Sequence, residues 1–263
     1  MSQENVIEYM ADFAARNEQP EVLFWVGCAG SFDPRAQKVT IAFCKILRHA
    51  GISFAILGKE EQCTGDPARR AGNEFVFQML ALQNIQTLNT YGIKKIVTTC
   101  PHCFNVLKND YPELGGNYDV VHHTQFLQSL FDEGKLTSEG GVFKGRKITY
   151  HDSCYLGRAN QIYEAPRAVL NHLDMDLVEM ERTRSKGLCC GAGGAQMFKE
   201  EEPGDLRINI ERSQEALNTG AEVVAVNCPF CLTMMTDGMK VKEKQEEVMV
   251  YDISELIIKN LKP

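Results

Sequence analysis

The chain of 263 residues has no apolar run approaching the ~20 residues of a membrane-spanning helix, so a span of its own is not expected. Its first twenty residues are polar and acidic, without the basic start and apolar stretch of a secretion signal. The expected compartment is therefore reducing and cytoplasmic, with the inner membrane reached only through a partner. The basic excess that nucleic acid would demand is missing, since the net charge is -7. No Gly-x-Gly-x-x-Gly opens a helix after a strand, so no nucleotide fingerprint is visible. The closely spaced cysteine run of a bacterial ferredoxin is also lacking. At 44% hydrophobic and 24% charged, the composition is that of an ordinary globular chain, long enough for one or two domains with real cores.

What the chain does have is cysteine, ten in all. A disulfide framework suits a short secreted chain, and this one is neither short nor expected outside the cell, so metal or redox chemistry is the better reading. Cys28 and Cys63 are 35 positions apart, as are Cys154 and Cys189. Cys100 and Cys103 form Cys-Pro-His-Cys; Cys228 and Cys231 form Cys-Pro-Phe-Cys. The two sets superimpose with offsets of 126 (28 to 154, 63 to 189) and 128 (100 to 228, 103 to 231), an internal repeat of about half the chain. EVLFWVGCAG at 21–30 matches KITYHDSCYLG at 147–157, and IVTTCPHC at 96–103 matches VAVNCPFC at 224–231. Only Cys44 stands outside the repeat; it lies on an expected helix and reads as a small core side chain.

Apolar periodicity and glycine stops give each half the same order. The first half has strands expected over 22–26, 54–57 and 95–98, and helices over 33–49 and 74–91, with Cys63 in a loop over 60–72. The second has a strand ending at Tyr150, strands over 177–180 and 223–226, and helices near 166–173 and over 206–220. Each half closes with a short strand and a helix, at 120–130 and 250–261. This alternation predicts an α/β fold of two pseudo-symmetric cysteine-rich domains with mostly parallel sheets. The expected domains are 1–140 and 141–263, joined through the Gly- and charge-rich stretch 131–147. In open parallel sheets the ligand crevice lies outside the carboxyl ends of the strands, so the cysteines should converge on one point per half. In each Cys-Pro-x-Cys the first cysteine falls near a helix N-cap and the proline in the first turn, where free N–H groups stabilise thiolates.

Residues 187–194 read GLCCGAGG, with Cys189 and Cys190 adjacent in a loop too rich in glycine for helix or strand. The second half thus offers five thiols: Cys154, Cys189, Cys190, Cys228 and Cys231. Zinc takes four ligands, so five do not suit it. A multi-iron cluster has several metal atoms, and adjacent cysteines could each bind a different iron, with Gly191, Gly193 and Gly194 letting the backbone wrap closely.

This pattern resembles the family carrying the duplicated cysteine-rich CCG domain. Its members include the disulfide-reducing subunit of heterodisulfide reductase, the iron–sulfur subunits of glycolate oxidase and anaerobic glycerol-3-phosphate dehydrogenase, and related electron-transfer subunits. The resemblance covers nearly the whole chain after residue 20, and the second half fits fully: Cys154, Cys189-Cys190-Gly191, Cys228-Pro-Phe-Cys231. It implies that each five-cysteine set, as in heterodisulfide reductase, holds a non-cubane [4Fe-4S] cluster that can reduce a disulfide. The first half departs from the pattern, because Thr64 follows Cys63 where a second cysteine is expected. A threonine hydroxyl is a poor iron ligand, which leaves Cys28, Cys63, Cys100 and Cys103. A cubane [4Fe-4S] cluster suits these four best, with an altered non-cubane cluster and structural zinc as alternatives.

Many relatives carry a ferredoxin module and a membrane haem or flavin module, which this chain would take from separate partners. The expected function is that of an iron–sulfur electron-transfer subunit of a multi-subunit oxidoreductase. It would pass electrons between a flavoprotein (electron-transfer flavoprotein or a dehydrogenase) and a quinone-linked partner, beside ferredoxin-type or membrane haem subunits. The alternative is the catalytic subunit of a heterodisulfide or disulfide reductase, with a zinc-stabilised scaffold as the bland third reading. His151, His122 and His123 could donate a proton near a cluster, although a turn histidine bonded to backbone is the commoner use. Arg69, Arg70 and Arg158 could offset cluster charge or be ordinary surface residues. Asp33-Pro34 and Asp66-Pro67 read as helix starts. The amphipathic stretch 6–15 reads as a helix that could dock a partner, although packing on its own domain is the commoner use.

Overall fold

Strands covered by helices on both faces carry continuous apolar runs rather than alternating ones, and Val22–Trp25 and Val223–Val226 are buried at every position. The computed structural model describes residues 7–138, 141–200 and 203–261. The first half runs α1 (Met10–Ala15), β1 (Val22–Trp25), α2 (Gly27–Phe32), α3 (Pro34–His49), β2 (Phe54–Ala55), α4 (Asp66–Arg70), α5 (Glu74–Thr90), β3 (Lys95–Thr98), α6 (Pro101–Asn105), β4 (Asp119–His122) and α7 (His123–Asp132). The second runs β5 (Lys147–Tyr150), α8 (Gly157–Asn160), α9 (Glu164–Asn171), β6 (Asp176–Leu177), α10 (Ile208–Asn218), β7 (Val223–Val226), α11 (Pro229–Val241), β8 (Met249–Asp252) and α12 (Ile253–Asn260). Among the described residues no helix is long and apolar enough to cross a membrane.

Each half builds one four-stranded, all-parallel sheet, ordered β2-β1-β3-β4 and β6-β5-β7-β8. The registers agree: Leu23 faces Ile96 in the first sheet, and their counterparts Thr149 and Val224 face each other in the second. The second strand of each half is only two residues long, shorter than the stretches 54–57 and 177–180 suggest. The stretch expected as a loop over 60–72 contains the short α4, which starts at Asp66 with Pro67 in its first turn, where a proline costs no helix bond. The expected helix over 6–15 begins at Met10, and position 6 lies outside the described residues. The expected domain boundary falls beside residues 139–140, which also lie outside them.

The halves meet reciprocally. Helix α3 of the first packs on α12 of the second, and α9 of the second packs on α7 of the first. These are equivalent pairs, so the contact is isologous, as expected for two copies related by a pseudo-two-fold axis. Arg35 on α3 grips Glu255 on α12 through two bonds of 2.7 Å and also donates to the Val250 carbonyl at 3.1 Å. On the other side Phe131 stacks on His172 at 4.6 Å. A core shared by both halves holds Phe24, Phe43, Leu127, Tyr150, Leu170 and Ile257, each at most 1% exposed. Burial of such side chains is worth about 1.5–3 kcal/mol each, so the halves are parts of one body.

Candidate metal centres

In a sheet ordered 2-1-3-4 the chain leaves strand one to one side and returns to the other, which opens a crevice between strands one and three. That crevice is where the cysteines gather. Cys28 lies on α2 just past β1, Cys63 lies between β2 and α4, and Cys100 is the N-cap of α6 just past β3. The second half repeats this with Cys154 after β5, Cys189 and Cys190 between β6 and α10, and Cys228 as the N-cap of α11 after β7.

The side-chain contacts repeat as well. Cys28, Cys63, Cys100 and Cys103 line one small pocket together. Cys154 Sγ lies 3.9 Å from Cys189 Sγ. The Gly65 amide donates to Cys63 Sγ at 3.5 Å, and the Gly191 amide to Cys189 Sγ at 3.3 Å. Both glycines sit at positive φ, +90° and +92°, where a side chain would be strained. Cys190 Sγ accepts from Cys231 Sγ at 3.4 Å, whereas the Thr64 hydroxyl donates to Cys103 Sγ at 3.9 Å. Thr64 therefore occupies the place of Cys190. The adjacent cysteines of GLCCGAGG have different neighbours: Cys189 turns to Cys154, and Cys190 turns to Cys231. Cys44, by contrast, is buried on α3 in the core shared by the halves.

The electrostatics favour anionic sulfur at selected positions. Donation from Cys28 and from the Gly65 amide brings the Cys63 thiol down to about 6. Donation from Cys154, Cys190 and the Gly191 amide holds Cys189 far below the usual thiol range. Burial opposes ionisation of Cys228, yet Cys231 and His102 hold it well below that range. Cys28, Cys63, Cys154 and Cys189 are half-buried, whereas Cys100, Cys103, Cys190, Cys228 and Cys231 are buried. Each set thus has one side nearer solvent.

One imidazole stands between the sets. His102, inside Cys-Pro-His-Cys, puts Nδ1 2.9 Å from Asp66. Its ring stacks on Tyr155 at 3.9 Å and meets the edge of Phe230 at 4.9 Å. Burial disfavours its cation, but Asp66 and Cys228 raise it to about 10. Phe230 is its counterpart in Cys-Pro-Phe-Cys, so the pseudo-axis runs beside this pair.

A second histidine flanks the second-half set. A ring nitrogen of His151 lies within 4.8 Å of the Cys190 and Cys231 sulfurs. His151 Nδ1 accepts from Arg212 Nε at 3.0 Å, and its Nε2 is buried with no partner among the described residues. Burial, with the Arg212 charge beside it, lowers His151 to about 3. Arg212 is fully buried, with Nη1 donating to the Arg182 carbonyl and to Glu215 at 2.8 Å each, while Nη2 lacks a partner among the described residues.

The other histidines and arginines read from the sequence serve the scaffold. His122 caps α7, its Nδ1 2.8 Å from the Thr124 hydroxyl. His123 Nε2 lies 3.4 Å from Asp252, the cap of α12, which brings the two closing helices side by side. Arg69 pairs with Asp110 at 3.1 Å, and Arg70 with Asp66 at 3.1 Å and Asp110 at 3.2 Å. Arg158 is exposed. Nothing in the sequence singles out Arg212, and Asp66 reads there only as a helix start. His102 sits inside the motif, and its contrast with Phe230 is the one sequence signal of its role.

The donor sets fit an anionic, sulfur-ligated metal cluster. Five sulfurs exceed the tetrahedron of zinc in the second half. The depressed thiols and the buried Arg212 suit a group of net negative charge, and the unpartnered buried donors His151 Nε2 and Arg212 Nη2 imply an acceptor nearby. In the first half, a Cβ on Gly27 would lie 3.2 Å from Cys103 Sγ, so glycine there lets the backbone approach the sulfurs.

Comparison with known proteins agrees with this geometry. The model of the CCG cysteine-rich domain matches residues 22–108 and again 148–236. The chain is 49% identical over 92% of its length to the probable iron-sulfur-binding oxidoreductase FadF of Bacillus subtilis. It is 46% identical over 91% to the EtfAB:quinone oxidoreductase of Syntrophomonas wolfei, and 35% identical over 93% to one subunit of the dihydromethanophenazine:CoB--CoM heterodisulfide reductase of Methanosarcina barkeri. It spans 34%, 34% and 60% of those three proteins, respectively. With the domain matched twice over most of its length, the chain belongs to the CCG cysteine-rich domain family.

Proposed function

We propose that this chain holds two iron–sulfur clusters, one per half, and acts as an electron-transfer subunit of a larger oxidoreductase. Cys154, Cys189, Cys190, Cys228 and Cys231 would hold a non-cubane [4Fe-4S] cluster, and Cys28, Cys63, Cys100 and Cys103 a cubane one. The observation that supports this reading is that both halves put their cysteines at the same turns past the strands: Cys28, Cys63, Cys100 and Cys103 line one pocket, and in the second half Cys154 lies 3.9 Å from Cys189 and Cys190 3.4 Å from Cys231. Such clusters supply one-electron carriers whose potentials the surrounding protein tunes. The chain's own residues contribute thiolates prepared by amide and thiol donors and a buried wall that excludes water, with His102 packed against Phe230 of the other half. The electron source would be a flavoprotein and the sink a quinone-linked partner, as the name of the Syntrophomonas relative suggests for that protein.

A second reading, reduction of a disulfide at the second-half cluster, is favoured by its half-buried Cys154 and Cys189 and by the Methanosarcina relative. Anaerobic purification with iron, sulfide and zinc analysis tests the first step. About eight irons per chain are expected for two four-iron clusters; about four with one zinc would reject the first-half assignment. Mixing with reduced electron-transfer flavoprotein should then reduce the clusters. Turnover of a heterodisulfide by the reduced chain alone would favour the second reading.

A further inference from the structure

We propose that Arg212 holds a fixed positive charge beside the second-half centre and so raises its reduction potential, an influence that the first centre does not receive. The inference rests on the two-cluster reading above.

The offset of 128 that aligns β3 with β7 also aligns Asn84 on α5 with Arg212 on α10. Both are 0% exposed, so each half buries a polar side chain at the same place. In the first half that side chain is neutral. Asn84 Oδ1 accepts from the Gln62 amide at 3.1 Å, and its Nδ2 donates to the Cys63 carbonyl and to the Tyr111 hydroxyl at 3.0 Å each. In the second half it is a guanidinium, which does not give up its proton in a protein. Arg212 Nη1 donates to the Arg182 carbonyl at 2.8 Å. Asn84 thus binds the cysteine loop itself, and Arg212 the stretch that leads into it.

A second position changes in step. The residue past the first strand of each half is Trp25 in one and His151 in the other. His151 Nδ1 accepts from Arg212 Nε at 3.0 Å, and a ring nitrogen of His151 lies within 4.8 Å of the Cys190 and Cys231 sulfurs. The guanidinium is therefore one ring away from two of the thiols. Trp25 and Asn84 bring no charge to the first set.

Glu215 does not cancel this charge at the thiols. Its carboxylate takes Nη1 at 2.8 Å and is shared with Arg182 at 3.3 Å. Nη1 and the Nε–H point to opposite sides of the planar group, and the Nε side turns to His151. Nη2, on the same edge as Nε, is buried with no partner among the described residues. The buried pair thus directs its positive end toward the thiols. Reduction adds one electron to the centre and makes it one unit more negative, with no bond formed or broken in the protein. A nearby cation stabilises that state more than the oxidised one, and burial keeps salt from screening it. Net charge is one of the levers on an iron–sulfur potential. Arg212 is a tuning residue in this sense, since it touches no sulfur itself.

The test is an EPR-monitored redox titration, at one fixed pH, of wild type, Arg212→Gln and Glu215→Gln, each with iron and sulfide measured. Arg212→Gln removes the charge and keeps an N–H donor; the second midpoint should become more negative while the first stays in place. Glu215→Gln removes the opposing charge and leaves Arg212; the second midpoint should become more positive. Opposite shifts from two neighbouring positions are the signature of a fixed charge, and loosened packing would not produce them. Arg212→Lys, which keeps the charge, should stay near the wild-type midpoint. If Arg212→Gln loads poorly, Glu215→Gln decides the sign alone. Loaded variants with an unmoved second midpoint, or with shifts of the same sign, would overturn the inference while leaving the two-cluster reading intact. A wild type without a second cluster would overturn both.

Discussion

Replacing Thr64 by cysteine would give the first half the thiol that the second half has at Cys190. Thr64 is 2% exposed, and its hydroxyl reaches Cys103 Sγ only at 3.9 Å, a long and weak bond. Losing it should cost at the low end of the net range of about 0.5–1.5 kcal/mol. The Tyr111 hydroxyl donates to the Thr64 carbonyl at 3.3 Å, a backbone contact that the substitution keeps. Cysteine and threonine are close in size, so overpacking adds little. About 0.5 kcal/mol corresponds to about 1–2 °C in Tm for a chain of this size. The fold should therefore survive, and any spectral change can be read as a change of ligation. In the second half the equivalent sulfurs lie 3.4 Å apart, so a thiolate at position 64 should come close to Cys103. Mössbauer and EPR spectra of the anaerobically purified variant should show the first site moving toward the second, with iron content unchanged. Cys190→Thr should move the second site the other way. An unmoved first-site spectrum, with iron and Tm preserved, would refute the claim that position 64 faces the metal atoms. Zinc at the first site would refute it as well, since four thiolates already complete its tetrahedron.

Cys44→Ala should keep full iron content at a stability cost of roughly 1 kcal/mol; lost iron would return Cys44 to the set of ligands. Burial pushes the Cys44 thiol up to about 12, although Arg48 opposes it, so the folded chain holds that proton longer than the unfolded chain does. Stability should therefore fall as pH rises from about 9 toward 12, and the wild-type-minus-Cys44→Ala difference in denaturant unfolding should carry that slope. Arg212→Met would take one of two cations from the buried Glu215, which keeps Arg182 at 3.3 Å, and leave His151 without its donor; a loss of about 1.5–3 kcal/mol, with the second centre lost before the first on mild heating, is expected in denaturation followed by EPR. Arg35→Met should cost about 1.5–3 kcal/mol in chemical denaturation by stranding Glu255 between the halves, with both spectra unchanged before unfolding.

The repeat was legible because the cysteine spacing repeats in two blocks with offsets of 126 and 128, and the registers of both sheets follow those offsets. The buried apolar strands were readable for the same reason that they are buried on both faces. The two-residue strands β2 and β6 were not, because their extent depends on where a neighbouring strand ends rather than on local composition. Arg212 looks like any charged residue on a helix, and only the tertiary placement of α10 against His151 shows that it is buried. His122 and His123 stand out in the sequence as a pair, yet their place is set by the caps of α7 and α12, which meet only when the halves pack.

The scaffold is close to symmetric, and the differences between the halves concentrate around the crevices. At paired positions the first half has Thr64, His102 and Trp25, and the second has Cys190, Phe230 and His151. The first of these pairs changes the number of thiols. The second sets an imidazole against a plain aromatic ring, edge to face at 4.9 Å. The third is joined in the second half by the buried charge of Arg212, whereas Trp25 can carry none. The contacts that hold the halves together, α3 on α12 and α9 on α7, stay reciprocal. Two equal centres sharing a wall would give an electron no preferred direction. On the two-cluster proposal, unequal ligation would separate their potentials, and each set keeps its own half-buried cysteines. Under the proposed reading, the divergence of the halves turns a duplicated binding site into an oriented pair, with one centre placed to receive electrons and the other to release them.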